Sequence, residues 1–336
     1  VPGVSIAVVH DRQLHWARGY GIADVESGRP VTTSTRFQAA SISKPIMAIA
    51  VLSLAQEGRL ALDADINASL RSWKVPDTEH TRTQPVTWRS LLSHTSGADD
   101  GFGFPGYEPD APRPTLVQIL NGEAPSNVKA VTFARAPYAR FKYSGGGTTI
   151  VQLALTDLLG RDFEGLLRER VLDPLGMAHS DFTQPAPDST RPMLARAHSF
   201  QGRAMNVPWH VYPELAAAGL WTTASDLARV IIELQTALRE PRGRVLTTAS
   251  AREMTSPVGV GPFAVGMLVT RAGEGWYFNH SGRNWGFNAN LEGHLRHGYG
   301  LVVMTNGQGG GRVIAEIRER VALAYGWDSK AEPSRR

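Results

Sequence analysis

Short apolar runs at residues 4–10 and 14–19, joined by the polar Asp11, Arg12 and Gln13, predict a β-hairpin at the start of the chain. Over residues 42–57 the apolar side chains Ile46, Ile49, Ala50, Leu52 and Leu54 predict a buried helix, which Gly58 ends. Residues 72–146 are rich in Pro, Gly and Thr and read as a loop-heavy region with short helices such as 88–94. Helical patterns return at 147–159, 163–171 and 224–238. Four strands follow at 263–271, 276–280, 286–293 and 299–305, and residues 312–325 close the chain as a helix. Strands at both ends with helices between them imply an α/β (α+β) fold: one antiparallel sheet flanked by helices, with an inserted mainly helical domain. The expected division assigns 1–70 and 245–336 to the split sheet domain and 71–244 to the insertion. Two independent domains would leave the first hairpin with too little to pair with.

Composition narrows the chemistry. The 336 residues include no cysteine, which removes disulfides, thiol nucleophiles and Cys-ligated metals. A net charge of +4 is too mild to argue for nucleic acid. The longest apolar stretch, 46–54, is too short to span a membrane. The first residues show neither an initiator methionine nor a leader pattern, so a processed, periplasmic or secreted chain is expected. Residues 329–336 read as a frayed polar tail. Only five basic residues are lysines (44, 74, 129, 142 and 330).

Several motifs lead nowhere. Residues 101–106 (GFGFPG) match a dinucleotide fingerprint, but no strand precedes them and no helix follows. Residues 307–311 (GQGGG) read as a plain glycine-rich turn. His294 and His297 beside Glu292 lack a third ligand and read as surface histidines, so no metal site is expected.

Ser41 and Lys44 are different. They stand three apart where the first long helix begins, which puts both on one face one turn apart. The helix N-terminus disfavours an ammonium and favours a developing oxyanion. A buried lysine can lose its proton and act as a base, whereas arginine cannot. The bland alternative is an N-cap serine beside a solvated lysine. A second Ser-x-x-Lys, Ser126 to Lys129, lies in a loop with no long helix after it. Two further segments join the pair: 141–147 (FKYSGGG), with Tyr143 on a glycine-rich loop before a helix, and 279–286 (NHSGRNWG).

With these motifs the chain resembles the serine β-lactamase and penicillin-binding-protein superfamily. Within it, the likeness is to the class C-like branch with family VIII esterases and D-aminopeptidases. Residues 1–4 (VPGV), 91–97 (LLSHTSG), 172–177 (LDPLGM) and 218–227 (AGLWTTASDL) extend the likeness over nearly the whole chain. The resemblance implies that Ser41 is the acylated nucleophile and that Lys44 and Tyr143 share its proton. It also implies an oxyanion hole from the backbone N–H groups of Ser41 and Arg283, with His280 on the opposite wall. His94 reads as structural, bonding a loop, and Trp221 and Trp285 as either cleft walls or core.

Two positions depart from the family pattern. Gly145 stands where penicillin-recognising members carry the asparagine of Tyr-x-Asn. His280, Ser281 and Gly282 replace Lys-Thr-Gly, so the cation for a substrate carboxylate is lost. Both departures favour an esterase, amidase or D-aminopeptidase-like peptidase. A true β-lactamase or DD-carboxypeptidase is the alternative, and a degenerate binder of peptidoglycan fragments or of a partner is the second. Residues 98–140 are expected to shape the pocket. A small-molecule or peptide substrate, no cofactor and a monomer are expected.

Overall fold

The computed structural model describes residues 1–100 and 103–329. The tail from Lys330 onward, and Gly101 and Phe102 of the GFGFPG motif, lie outside the described residues. The expected first hairpin forms between β1 (Gly3–His10) and β2 (Gln13–Asp24). Asp11 and Arg12 both take positive φ, 49° and 59°, in the tight turn between them. A two-residue β3 (Arg29–Pro30) follows, and the late strands are β4 (Leu268–Ala272), β5 (Gly275–Asn284), β6 (Phe287–His294) and β7 (Gly300–Thr305).

These seven form one sheet in the order β3-β2-β1-β7-β6-β5-β4, antiparallel throughout. β1 pairs with β7 from Val4↔Thr305 to Val9↔Gly300, so the first hairpin and the late strands share one sheet, as the sequence predicts. Side chains alternate between its faces. Ala7 and Val9 join the large core, while Ile6 and Val8 meet Leu301, Val303 and Ile314 on the other side.

The large core lies under three long helices, α1 (Ser43–Gln56), α2 (Gly145–Leu159) and α4 (Ala224–Ala237). The four-residue α3 (Leu215–Ala218) packs against α1 and α2. α5 (Gly310–Tyr325) covers the opposite face of the sheet. Although residues 224–237 belong to the segment expected to form the insertion, α4 packs directly on β1, β6 and β7. α1 is buried on every side from Ser43 to Leu54, which explains its apolar run from Pro45 to Leu52. Its C-terminus closes with Gly58 at φ 70° and an Arg59 N–H to Leu54 carbonyl bond of 3.0 Å.

Candidate active site

Ser41 sits in a single 3₁₀ turn, Ala40–Ile42, which leads directly into α1. Ala40 is held at φ 52°, a conformation that L side chains rarely adopt, and Ser43 Oγ donates to its carbonyl at 2.6 Å. One turn on, Lys44 is 4% exposed, and its Nζ donates to Ser41 Oγ at 3.1 Å and to the Ala217 carbonyl of α3 at 2.9 Å. The same Nζ lies 5.0 Å from the centre of the Tyr143 ring. Ser41, Lys44 and Tyr143, more than a hundred residues apart at the extremes, therefore converge.

Tyr143 is held by its loop. Ser144 caps α2 by accepting from the Gly147 N–H at 2.8 Å, and its own N–H donates to His94 Nδ1 at 3.2 Å. The His94 carbonyl accepts from Lys142 N–H at 2.9 Å, and the His94 ring lies 4.2 Å from that of Tyr143. His94 thus bonds the loop, as its reading from sequence has it. Burial holds it well below its ordinary pKa, with nearby Lys44 and His280 adding to the shift, so it is neutral.

The opposite wall is β5. Its outer edge is paired with β4 only as far as Asn279, so residues 280–284 carry no strand on that side. His280 Nδ1 donates to the Ser281 carbonyl at 2.7 Å, which leaves Nε2 as the lone-pair nitrogen. Burial, with Lys44 nearby, pushes His280 down to about 3, so it carries no charge at neutral pH. Gly282 backs onto the Ser41 turn, where a Cβ would come 2.1 Å from the Ala39 carbonyl oxygen. Only glycine allows this approach. Asn284 fixes the strand end by donating to Gln38 at 2.8 Å and to the Ala218 carbonyl at 3.0 Å.

Between these walls lies a cavity of about 580 Å³, lined by Ser41, Tyr143, Phe263, His280, Ser281, Gly282 and Arg283. The remaining predicted residues are placed as follows. Trp221 is buried in the core against Trp209 and Phe287, and is not a cavity wall. Trp285 stacks on His210 with ring centres 4.1 Å apart, and its backbone N–H donates to Tyr212 Oη. At Gly145 a Cβ would come 2.7 Å from the Phe104 ring, which occupies the space an asparagine there would need.

Sequence reasoning missed Phe104, Asp100, which accepts from the Gly146 N–H at 2.5 Å, and the Ala217 carbonyl. Ala217 is adjacent to the 218–227 segment, but a backbone acceptor leaves no mark in side-chain identity.

His294 corrects one expectation. It is buried rather than on the surface, and Asp328, His297 and His294 place ligand atoms within 4.8 Å of one another. A metal is disfavoured by the bonding. His294 Nδ1 accepts from the N–H groups of Arg296 (2.9 Å) and His297 (2.7 Å), so the ring proton is on Nε2, donated to Asp328 at 2.9 Å. Coordination at Nε2 would require the proton to move to Nδ1, into two N–H donors.

The Beta-lactamase family model matches residues 1–325. Penicillin-binding protein 4 of Amycolatopsis lactamdurans is 29% identical over 282 residues, covering 82% of this chain and 71% of that protein. Protein flp of Staphylococcus aureus (strain N315) is 24% identical over 317 residues, 91% of this chain but only 60% of that protein's length. The D-amino acid amidase of Ochrobactrum anthropi SV3, solved with L-phenylalanine amide, superposes with a TM-score of 0.70 at 23% identity. That superposition covers 91% of this chain and 86% of the amidase. The chain belongs to the Beta-lactamase family and is a serine hydrolase by that membership.

Proposed function

We propose that the protein cleaves an ester, amide or peptide through an acyl-enzyme on Ser41, as an esterase or D-aminopeptidase-like hydrolase. The observation that carries this reading is the buried Lys44 amine, 3.1 Å from Ser41 Oγ and oriented by the Ala217 carbonyl. As Ser41 Oγ attacks the substrate carbonyl, its proton passes to the Lys44–Tyr143 pair. The backbone N–H groups of Ser41 and Arg283 stabilise the oxyanion. Tyr143 protonates the departing alkoxide or amine. A water then gives its proton to the same pair, attacks the acyl carbon and releases the acid, returning Ser41 its proton.

Two features support small esters and amides over β-lactams. Phe104 fills the place of an amide-holding asparagine, and His280 is neutral where a cation would hold a carboxylate. The amidase likeness fits the same choice. A true β-lactamase or DD-carboxypeptidase is the second reading, favoured by Arg283, a cationic residue bordering the cavity, whose charge would suit a carboxylate. Short-chain p-nitrophenyl esters and amino acid amides are expected to turn over faster than a cephalosporin, and Ser41→Ala to abolish turnover. A fluorophosphonate should add once, on Ser41. Normal turnover by Ser41→Ala would assign the nucleophile elsewhere, and an unlabelled, inactive wild type would leave a binding protein.

A further inference from the structure

A strongly basic cavity lies away from Ser41. A cavity of about 370 Å³ opens where the β1–β2 turn meets the second half of α4 and the loop after it. Four arginines line it, Arg12, Arg229, Arg242 and Arg244, against one acid, Glu233. Glu233 is committed elsewhere. Its carboxylate accepts the N–H groups of Arg244, Val245 and Leu246, each at 2.8 Å, and is 3% exposed. Arg229 has only a distant carboxylate, Asp226 at 3.9 Å. Among the described residues no carboxylate comes within salt-bridge distance of Arg12, Arg242 or Arg244.

Two of the guanidinium groups are nonetheless brought near one point. Arg229 Nη1 and Arg244 Nη1 lie 3.4 and 3.9 Å from the point where a side chain on Gly176 would begin. The loop carrying Arg242 and Arg244 is anchored at Gly243. Gly243 is packed so closely that a Cβ would come 2.4 Å from Glu233 Oε1, and Arg242 pairs with Thr247. Four arginines with only Glu233 and the distant Asp226 to offset them leave an excess of positive charge, and an anion between them relieves their repulsion.

We propose that this cavity binds a phosphate group, as the free ion or as a small phosphomonoester. A phosphate brings nearly two charges and three acceptor oxygens, which several guanidinium forks satisfy together. A single carboxylate offers one charge and two oxygens. Leu14, Leu175 and Ile232 supply apolar walls for the organic part of an ester. The site is separate from the catalytic cavity. Asn288, which lines the latter, is in register with Thr305 and Val4, whereas the arginine end is in register with Gly300 and Val9. Five residues along the strands amount to roughly 17 Å.

The test is thermal stability and calorimetry on the whole chain, titrated with inorganic phosphate and, separately, glycerol phosphate at constant ionic strength. Saturable binding of either at one site per chain is expected, and competition between them reads which source the cavity prefers. Arg242→Gln with Arg244→Gln should weaken binding by about ten-fold or more. The corresponding double lysine variant, which keeps the charge and loses the fork, should fall between. Ester turnover should stay unchanged in both. No saturable binding, a response matched by chloride, or equal affinity in the glutamine variant would overturn the proposal.

Discussion

At the scale of single residues, the proposed mechanism makes the identity of the basic group at position 44 decide whether Ser41 reacts. Lys44 is buried and donates to both Ser41 Oγ and the Ala217 carbonyl. In that mechanism a lysine amine takes up the serine proton while the Ala217 carbonyl orients it. Guanidinium stays charged and has no lone pair to offer. Lys44→Arg is therefore expected to lower kcat/KM on a p-nitrophenyl ester about 10²- to 10⁴-fold, close to the loss from Lys44→Met. Stopped-flow acylation rates check this. An arginine variant within tenfold of wild type would mean that positive charge alone suffices. The scarcity of lysine made this residue conspicuous in the sequence, and the structure supplies what scarcity could not, the carbonyl that orients it. Gly145 shows the limit of motif reading at this scale. Its departure from the family pattern is visible in the sequence, but the Phe104 ring that fills the vacated volume is forty-one residues away.

Among the elements, α3 has the largest effect for its length. Its four residues present Ala217 to Lys44 and Ala218 to Asn284. Immediately before it, Glu214 is wholly buried, and neither carboxylate oxygen has a hydrogen-bond partner among the described residues. Burial pushes its pKa up to about 7 from an ordinary 4.5. The folded chain thus keeps a proton that the unfolded chain has released. Stability contributed here is complete below pH 4.5, falls as pH rises, and levels off above about 7. Glu214→Gln cannot ionise. Its stability relative to wild type should climb between pH 4.5 and 7 and then stay level, for a gain on the order of 3 kcal/mol read from melting curves. A difference independent of pH would show that Glu214 is not buried as a neutral acid. Elements differed in how far they could be read. α1 was plain because burial on every side demands an unbroken apolar run. β5 runs on to Asn284, past the predicted end at 280, because Ser281, Gly282 and Arg283 have turn-like composition yet alternate in exposure along an open edge. β4 starts at Leu268 rather than 263, since Val265 and Gly266 bond to the Glu253 and Leu92 carbonyls instead of to a strand.

Across the whole molecule, the sheet joins the two ends of the chain and separates the reaction from what holds the ends in place. Gly3 N–H donates to Asn306 at 2.8 Å, a closure that the strand pattern implies. The clasp beyond α5 is not legible in the same way, because Asp328 has no periodic neighbours and its partners lie in distant strands. Its carboxylate accepts from His294 Nε2 at 2.9 Å, from Tyr299 Oη at 2.6 Å and from Tyr277 Oη. The backbone follows, with Glu274 N–H donating to the Asp328 carbonyl at 3.0 Å. This fastens the end of α5 across β5, β6 and β7, so that Ile314, Ala322 and Trp327 stay against Ile6, Val8, Leu301 and Val303. Asp328→Asn turns one acceptor oxygen into a donor facing other donors. It should cost about 1–3 kcal/mol in denaturant unfolding. The clasp lies at the far ends of the strands from Ser41, since His294 pairs with Tyr277 while Arg283 pairs with Asn288. Ester turnover per folded molecule should therefore stay within about twofold of wild type, the stability loss notwithstanding. A parallel fall in kcat would mean instead that α5 transmits its packing through the sheet to the catalytic cavity, along Ile314, which touches both.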